Sequence, residues 1–273
     1  MTGGAQTGNG SGALRQRTAH RLPSLSARGR YGFLGLAIII VAWEAASRAD
    51  LVKSVLVSSP SAVVTAAIED ISNGTIWPDL WATLSVWILG FAIASVLGIL
   101  IGLGSGLFRR FGLVADSWLN ALNVAPDLAF VPILILWFGI GLQFKLVLVV
   151  LTGVFYVAIN TLAGVRSAEG RFLQVAESFG ASETRILMTV ILPGCIPYII
   201  TGLRQGAART IIAVIVAEFV SSNQGLGFMI LVSGSFLDTA NTMLGIVILA
   251  SLGLMVSEIL GWIEGKFDAW RVS

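Results

Sequence analysis

The sequence has few charged residues, one cysteine and one histidine. Asp, Glu, Lys and Arg make up only 12% of its 273 residues, about half of the roughly 25% found in soluble globular proteins. The single cysteine excludes an internal disulfide framework, and the net charge of +2 is too small to indicate a nucleic-acid partner. Hydrophobic residues reach 56%, and the mean hydropathy is +0.88. This composition indicates a protein of the lipid bilayer.

The residue sets of common enzyme sites are also missing. The one histidine is His20, so a Ser-His-Asp arrangement or a zinc site cannot be assembled. None of the three lysines, Lys53, Lys145 and Lys266, lies in a Walker A loop, which requires Ser or Thr directly after the lysine. We therefore expect no catalytic residue, no metal site and no cofactor bound by this chain.

Long apolar runs with little or no charge predict six membrane-spanning helices. A span needs about 20 apolar residues, because the hydrocarbon core is roughly 30 Å thick and a helix rises about 1.5 Å per residue. Pro193 and Pro197 interrupt one further uncharged run; since proline removes a helix donor, we expect one helix to stop before Pro193 and another to begin near Pro197. The glycines in 102–106 predict close helix packing, and those in 225–227 predict a loop turn. The candidate spans are residues 31–47, 80–108, 113–144, 146–165, 196–220 and 239–257.

The basic residues predict that both ends of the chain lie in the cytoplasm. Positive charges are retained on the cytoplasmic side of a membrane. With both ends inside, only Arg48, Lys53 and Lys145 of the 17 Lys and Arg residues lie outside. The reverse orientation is therefore disfavoured.

Composition divides the chain into four segments. We expect a flexible cytoplasmic tail, the first span with a short outer amphipathic helix at Pro60–Asp70, a core of five spans, and a cytoplasmic C-terminal tail. A cleavable signal peptide is the alternative interpretation of the N-terminal region, because a basic segment precedes an apolar one. The four segments are residues 1–30, 31–76, 77–264 and 265–273.

The loop from Arg166 to Pro193, here named the coupling loop, predicts two helices joined at a glycine. Gly180 can take the left-handed conformation that ends a helix, and Ser182 can cap the next one. An apolar stripe on a short exposed helix must be covered, either by the chain's own spans or by a soluble partner. The stripe consists of Phe172, Val175, Ala176 and Phe179 at helical spacing.

With these spacings, the loop resembles the EAA loop of ABC-transporter permeases of the binding-protein-dependent type. That family has a Glu-Ala-Ala triplet before a glycine, and a Leu-Pro pair thereafter. Gln174 stands where the family usually has glutamate, which removes one charge from the contact with the ATPase. The corresponding positions here are Gln174, Val175, Ala176, Gly180, Ala181, Ser182, Leu192 and Pro193.

Other motifs extend the resemblance over roughly residues 77–270. They are similar to the nitrate, sulfonate and taurine branch of these permeases, in which Pro-x-x-Ala-x-x-Pro is followed by Trp-Phe-Gly. The matching stretches are residues 124–132, 137–141, 164–166, 201–204, 217–218 and 225–227.

The resemblance implies an all-α integral membrane protein with six transmembrane helices and the type I ABC importer permease fold. It also implies a multi-pass protein of the bacterial inner membrane that moves a small anionic solute, similar to nitrate, sulfonates or taurine, by alternating access. The implied partners are two ABC ATPase subunits that hold ATP and Mg, a second permease copy in a homodimer, and a periplasmic or lipid-anchored substrate-binding protein. The lipid bilayer surrounds the chain, and no nucleic acid takes part.

Polar residues inside the spans are candidates for the translocation path, because charge within a membrane is costly. Arg204 and Arg209 can each pair with a carboxylate or carbonyl group, and Arg209 can also contact an anionic cargo. Asp127, which lies between prolines, can instead end a helix. The candidates for the path are Asp127, Tyr156, Asn160, Arg209 and Glu218.

Three rival functions remain at this level. A stand-alone secondary transporter or channel would show inverted repeats and midplane ion-coupling carboxylates, and the sequence shows no convincing repeat. A membrane enzyme would need the nucleophile, base or metal sets that the sequence lacks. A passive scaffold subunit is the third rival.

Overall fold

The computed structural model describes residues 25–49, 51, 53, 56–124, 127–167, 176 and 178–268. All regular structure in these ranges is helical, which confirms the predicted fold class. A 3-10 turn covers Asp127–Phe130 and a π turn covers Leu187–Ile191. The helices are α1 (Leu25–Arg48), α2 (Pro60–Asn73), α3 (Ile76–Leu107), α4 (Arg109–Val124), α5 (Val131–Phe138), α6 (Leu142–Ser167), α7 (Glu183–Ile186), α8 (Leu192–Ser221), α9 (Leu226–Ser235) and α10 (Thr239–Asp268).

Among the described residues, four helical stretches are long and apolar enough to cross a bilayer, and they correspond to four of the six predicted spans. The first predicted span lies in α1, which begins at Leu25. Residues 25–30 therefore belong to a helix instead of the predicted tail, and residues 1–24 lie outside the described residues. The four stretches are Ile76–Leu107, Leu142–Ser167, Thr184–Ser221 and Thr239–Lys266.

The expectation of one continuous helix over residues 113–144 is wrong. α4 ends at Val124, the 3-10 turn follows, and α5 has only eight residues. Gly139 and Gly141 come after α5 with φ angles of +70° and +145°, which a right-handed helix does not allow. The run is apolar as predicted, but turn-forming residues divide it into shorter helices before α6 begins.

The predicted interruption between Pro193 and Pro197 is also wrong. Helical structure continues from α7 through the π turn into α8, and Pro197 lies inside α8. Membrane helices tolerate proline where local π turns and Ser or Thr hydroxyls adjust the hydrogen bonding. Here Leu192 N–H donates to the carbonyl of Leu187 across the π turn, and Thr201 Oγ1 donates to the Pro197 carbonyl at 3.0 Å.

A seam of glycines joins α3 to α6, as the cluster at residues 102–106 predicted. A Cβ added at Gly98 would lie 2.6 Å from Val157 Cβ, and one at Gly102 would lie 2.5 Å from Thr161 Cβ. These distances are well inside van der Waals contact, so only glycine allows the two helices to approach this closely. The same relation recurs along the seam at Gly90 and Gly106.

α6 lies between α3 and α8. Gly153 on α6 has no room for a Cβ, because Ala94 of α3 and Thr210 of α8 approach it from two sides, at 2.8 and 2.7 Å. On the α8 side, a Cβ at Gly202 would lie 2.9 Å from Asn160 Cβ. α8 therefore packs closely against α6, and polar residues lie along the contact between the two helices.

The helix predicted at Pro60–Asp70 is confirmed as α2, and it is tied to α1. Glu44 accepts hydrogen bonds from Ser61 N at 3.0 Å and Ser61 Oγ at 2.9 Å, at the start of α2. Carboxylates stabilise a helix N-terminus, where N–H groups lack partners. α2 buries Val63 and Ala66, whereas Val64 is exposed.

Candidate functional site

The glycine joint of the coupling loop has the conformation that the sequence predicts. Gly180 has a φ of +71°, in the left-handed region that disfavours any residue with a Cβ. Ala181 N donates to the Ala176 carbonyl at 3.0 Å, which is the bond that closes a helix in a Schellman motif. Gln174 and Val175, the first two positions of the triplet, lie outside the described residues, as does Phe172.

The second half of the coupling loop enters the membrane without a break. Ser182 directly precedes α7, and its carbonyl accepts from Ile186 N at 2.9 Å. Leu192 and Pro193 begin α8, so the Leu-Pro pair does not end a helix. Helical structure is therefore continuous from Glu183 to the end of α8.

Large apolar side chains of the coupling loop are exposed. Phe179 is 86% exposed and Met188 is 59% exposed. Of the predicted apolar stripe, Ala176 and Phe179 are described, and the chain's own spans leave Phe179 uncovered. The surface around the joint therefore offers apolar contact area to another protein.

Four residues of α6 and α8 form a second candidate site, here named the polar face: Tyr156, Asn160, Gln205 and Arg209. The Arg209 guanidinium carbon lies 5.4 Å from the centroid of the Tyr156 ring, a cation–π contact. Asn160 Nδ2 donates to Gln205 Oε1 at 3.2 Å and to the Tyr156 carbonyl at 2.8 Å. Tyr156 and Asn160 are half-buried, whereas Gln205 and Arg209 are exposed.

The polar face unites three of the five path residues predicted from the sequence, namely Tyr156, Asn160 and Arg209. Gln205 was missed, although its position four residues before Arg209 places both on one face of α8. Asp127 lies in the 3-10 turn, and its side chain lies outside the described residues.

Glu218, the fifth predicted path residue, is away from the polar face and enclosed by protein. Only 1% of the residue is exposed. Its carboxylate accepts from Thr83 Oγ1 and from Gly227 N, each at 2.8 Å. Thr83 Oγ1 in turn accepts from Leu226 N at 2.8 Å. Glu218 therefore fastens the start of α9 to α3 and α8.

The turn before α9 depends on the same carboxylate. Gly225 has a φ of +127°, and a Cβ there would lie 2.4 Å from Glu218 Cδ. Asp79 Oδ1 accepts from Gly225 N at 2.8 Å. The predicted loop turn is thus confirmed at Gly225, and we name Glu218, Thr83 and Asp79 the outer cluster. Neither Thr83 nor Asp79 carried a signal in the sequence.

Arg204 is paired with a carboxylate. Its Nη1 lies 3.2 Å from Glu264 Oε2, and its Nε donates to Ser257 Oγ at 3.2 Å. Thr201 Oγ1 also donates to Glu264, at 2.6 Å. These bonds join α8 to α10, so Arg204 has a structural role.

Known proteins resemble the chain in sequence and in fold. The family model described as binding-protein-dependent transport system inner membrane component matches residues 94–269. A protein named as an aliphatic sulfonates transport permease in Bacillus subtilis is 31% identical over 96% of this chain and 97% of its own length. The taurine transport system permease protein of Escherichia coli is 30% identical over 86% of this chain and 88% of its own. An inward-facing structure of the MetNI methionine ABC transporter matches with a TM-score of 0.62 at 16% identity, covering 71% of this chain and 95% of that one.

Proposed function

Because the chain belongs to the family of binding-protein-dependent transport system inner membrane components, we propose that it carries a small sulfonate-like anion into the cell. The chain is a permease subunit of an ABC importer in the inner membrane, and it works with ATPase and substrate-binding components. This membership favours an ABC permease over a stand-alone transporter or channel. The two relatives are named for aliphatic sulfonates and for taurine, and a sulfonate group is common to both.

The energy source, in this proposal, lies on the partner subunits. We expect ATP and Mg to bind there, since the sequence of this chain contains no Walker A loop. Two ATPase subunits would act on two copies of the permease, while a substrate-binding protein delivers the anion from outside. Alternation between inward-open and outward-open states then moves the solute.

We propose that the coupling loop is the part of this chain on which the ATPase subunits act. The observation that carries the proposal is the left-handed joint at Gly180 beside the exposed Phe179, connected to α8 by unbroken helix. An apolar side chain this exposed is suited to a pocket on a partner protein. We propose that movement of the ATPase subunits displaces this joint and, through α7 and the π turn, tilts α8.

Gly180→Val tests the joint. A β-branched residue in the left-handed region costs about 1–3 kcal/mol, so the joint would adopt another conformation in most molecules. We expect uptake, and ATP hydrolysis stimulated by the loaded binding protein, to fall about tenfold, with normal insertion into the membrane. Uptake into proteoliposomes holding the complete transporter measures the first effect.

Gly194→Val is the matched control for this substitution. Gly194 lies in α8 without a positive φ, and a Cβ there would meet nothing within 4 Å. The control is expected to transport normally. Equal, undiminished uptake by both variants would remove the proposed role of the joint.

Chemical labelling tests the side of the membrane on which the joint lies. Ser182→Cys, in a chain whose buried Cys195 is replaced by Ala, should react with a membrane-impermeant maleimide only after the cells are opened. Ser72→Cys on α2 is the control, and it should react in intact cells. Reaction of Ser182→Cys in intact cells would place the coupling loop beyond the reach of any cytoplasmic ATPase.

A further inference from the structure

We propose that the polar face is a binding station for a small oxyanion half-way across the membrane, with the Arg209 guanidinium as its charged group. The proposal rests on the function proposed above and assigns the anion to particular residues of this chain. Three properties of the polar face support it: its depth, the absence of a carboxylate paired with Arg209 among the described residues, and the hydrogen-bonding groups beside the guanidinium.

The polar face lies near the middle of both helices that form it. Arg209 is twelve residues from the end of α8 at Ser221, or about 18 Å along the helix. Tyr156 is fourteen residues from the start of α6 at Leu142, or about 21 Å. Both helix ends lie on the predicted outer side. Because the hydrocarbon core is about 30 Å thick, these depths place the polar face close to the midplane.

A guanidinium at this depth needs water or an opposite charge. An arginine at the centre of a bilayer is costly in contact with lipid, and such residues face the bundle interior or an aqueous cavity. Arg204, five residues earlier on α8, is neutralised by Glu264. Among the residues that the structure describes, no carboxylate makes an ion pair with Arg209. A mobile anion can provide the missing charge.

The groups around Arg209 suit an oxyanion. A guanidinium donates two parallel N–H bonds to a pair of oxygens, and the Tyr156 ring under it restricts its position. Asn160 donates to Gln205 Oε1, which engages the acceptor of that amide and leaves its nitrogen as the donor for a ligand. The polar face thus offers positive charge and N–H donors together, which favours anions over cations.

A cysteine beside Arg209 reports the charge and the water access of the polar face. Ile212 lies three residues beyond Arg209 on the same helical face and is 52% exposed. In the full transporter with Cys195 replaced by Ala, Ile212→Cys is treated with two methanethiosulfonate reagents, one bearing a sulfonate and one a trimethylammonium group. The first reagent is itself a small alkyl sulfonate and therefore a probe of the proposed ligand class.

We expect the sulfonate reagent to react about tenfold faster than the cationic one, because a charged cleft concentrates counter-ions by this order or more. Arg209→Gln should abolish the preference, and Arg209→Lys should keep it, since lysine retains the charge. Arg204→Gln is the matched control: it breaks the contact with α10 and should lower the melting temperature, but leave the preference in place. The proposal would be overturned if the two reagents reacted equally fast, or not at all, with the Ile212→Cys variant that retains Arg209.

Transport separates this inference from the proposed function. Arg209→Gln should lower uptake of ethanesulfonate or taurine about tenfold or more, the effect of losing a charged hydrogen-bond partner. Hydrolysis of ATP stimulated by the binding protein should persist in that variant. If Arg209→Gln took up the solute normally while Gly180→Val did not, the polar face would not be the binding station. The proposed permease function would still stand. Failure of the unaltered complex to couple ATP hydrolysis to uptake would refute both.

Discussion

Gly102→Leu is expected to prevent the chain from accumulating as folded protein. A Cβ at this position would lie 2.5 Å from Thr161 Cβ and 2.6 Å from the carbonyl oxygen of Ala158. The carbonyl belongs to the α6 backbone and cannot move unless the whole helix moves. Added atoms in a close-packed interior cost about 1–3 kcal/mol even for small insertions, and leucine adds four carbons. The α3–α6 seam would have to open along its length.

Gly104→Leu is the matched control, because it introduces the same side chain two residues away. The nearest atom to a Cβ at Gly104 is Phe111 Cε1, at 3.4 Å, which is the far end of a side chain that can rotate. Size-exclusion chromatography of fluorescently tagged protein measures the folded yield of each variant. Equal yields would mean that α3 and α6 do not approach each other as closely as the structure has them.

Glu218→Ala is expected to lower the free energy of unfolding by about 2–6 kcal/mol, since the Thr83 hydroxyl and the Gly227 N–H both lose a buried acceptor at about 1–3 kcal/mol each. Transport should be lost with it, because the start of α9 would no longer be fastened to α3 and α8. Thermal unfolding of the purified permease measures the first effect, and uptake measures the second.

Glu258→Ala supplies the control for this loss of a carboxylate. Glu258 is an exposed residue of α10, so removal of its carboxylate should change the free energy of unfolding by less than about 0.5 kcal/mol. A double-mutant cycle with Thr83→Val then tests the outer cluster directly. Because Thr83 and Glu218 share hydrogen bonds, their effects should be non-additive by about 0.5–3 kcal/mol. Simple additivity would contradict the network.

Local signals in the sequence predicted local structure well. Gly180 was predicted to end a helix, and its φ of +71° agrees, because the penalty for a Cβ in that region depends on the residue alone. The glycines at 102–106 predicted close packing, and α3 does meet α6 there. The sequence did not indicate that α6 was the partner, since glycine spacing marks a face and not its neighbour.

Signals that depend on surroundings were less reliable. Pro193 and Pro197 predicted a break, but helical structure continues through a π turn before Pro193. Glu218 was a path candidate because it lies within a span, yet the structure encloses it against Thr83 and Gly227. Gly227 follows Glu218 by nine residues across a turn, whereas Thr83 lies on α3, far away in the chain, so no spacing rule could have found Thr83.

The sequence by itself determined that the chain is helical and lies in a bilayer, because the hydropathy and the length of a membrane helix depend only on residues that are neighbours in the chain. It also determined the joint at Gly180. Only the tertiary structure decided that Tyr156 meets Arg209 while Glu218 fastens the turn before α9. The reason is geometric: which polar groups meet depends on the side on which α6 and α8 face each other, and that side is set by Gly153 and Gly202, where the two helices come closest.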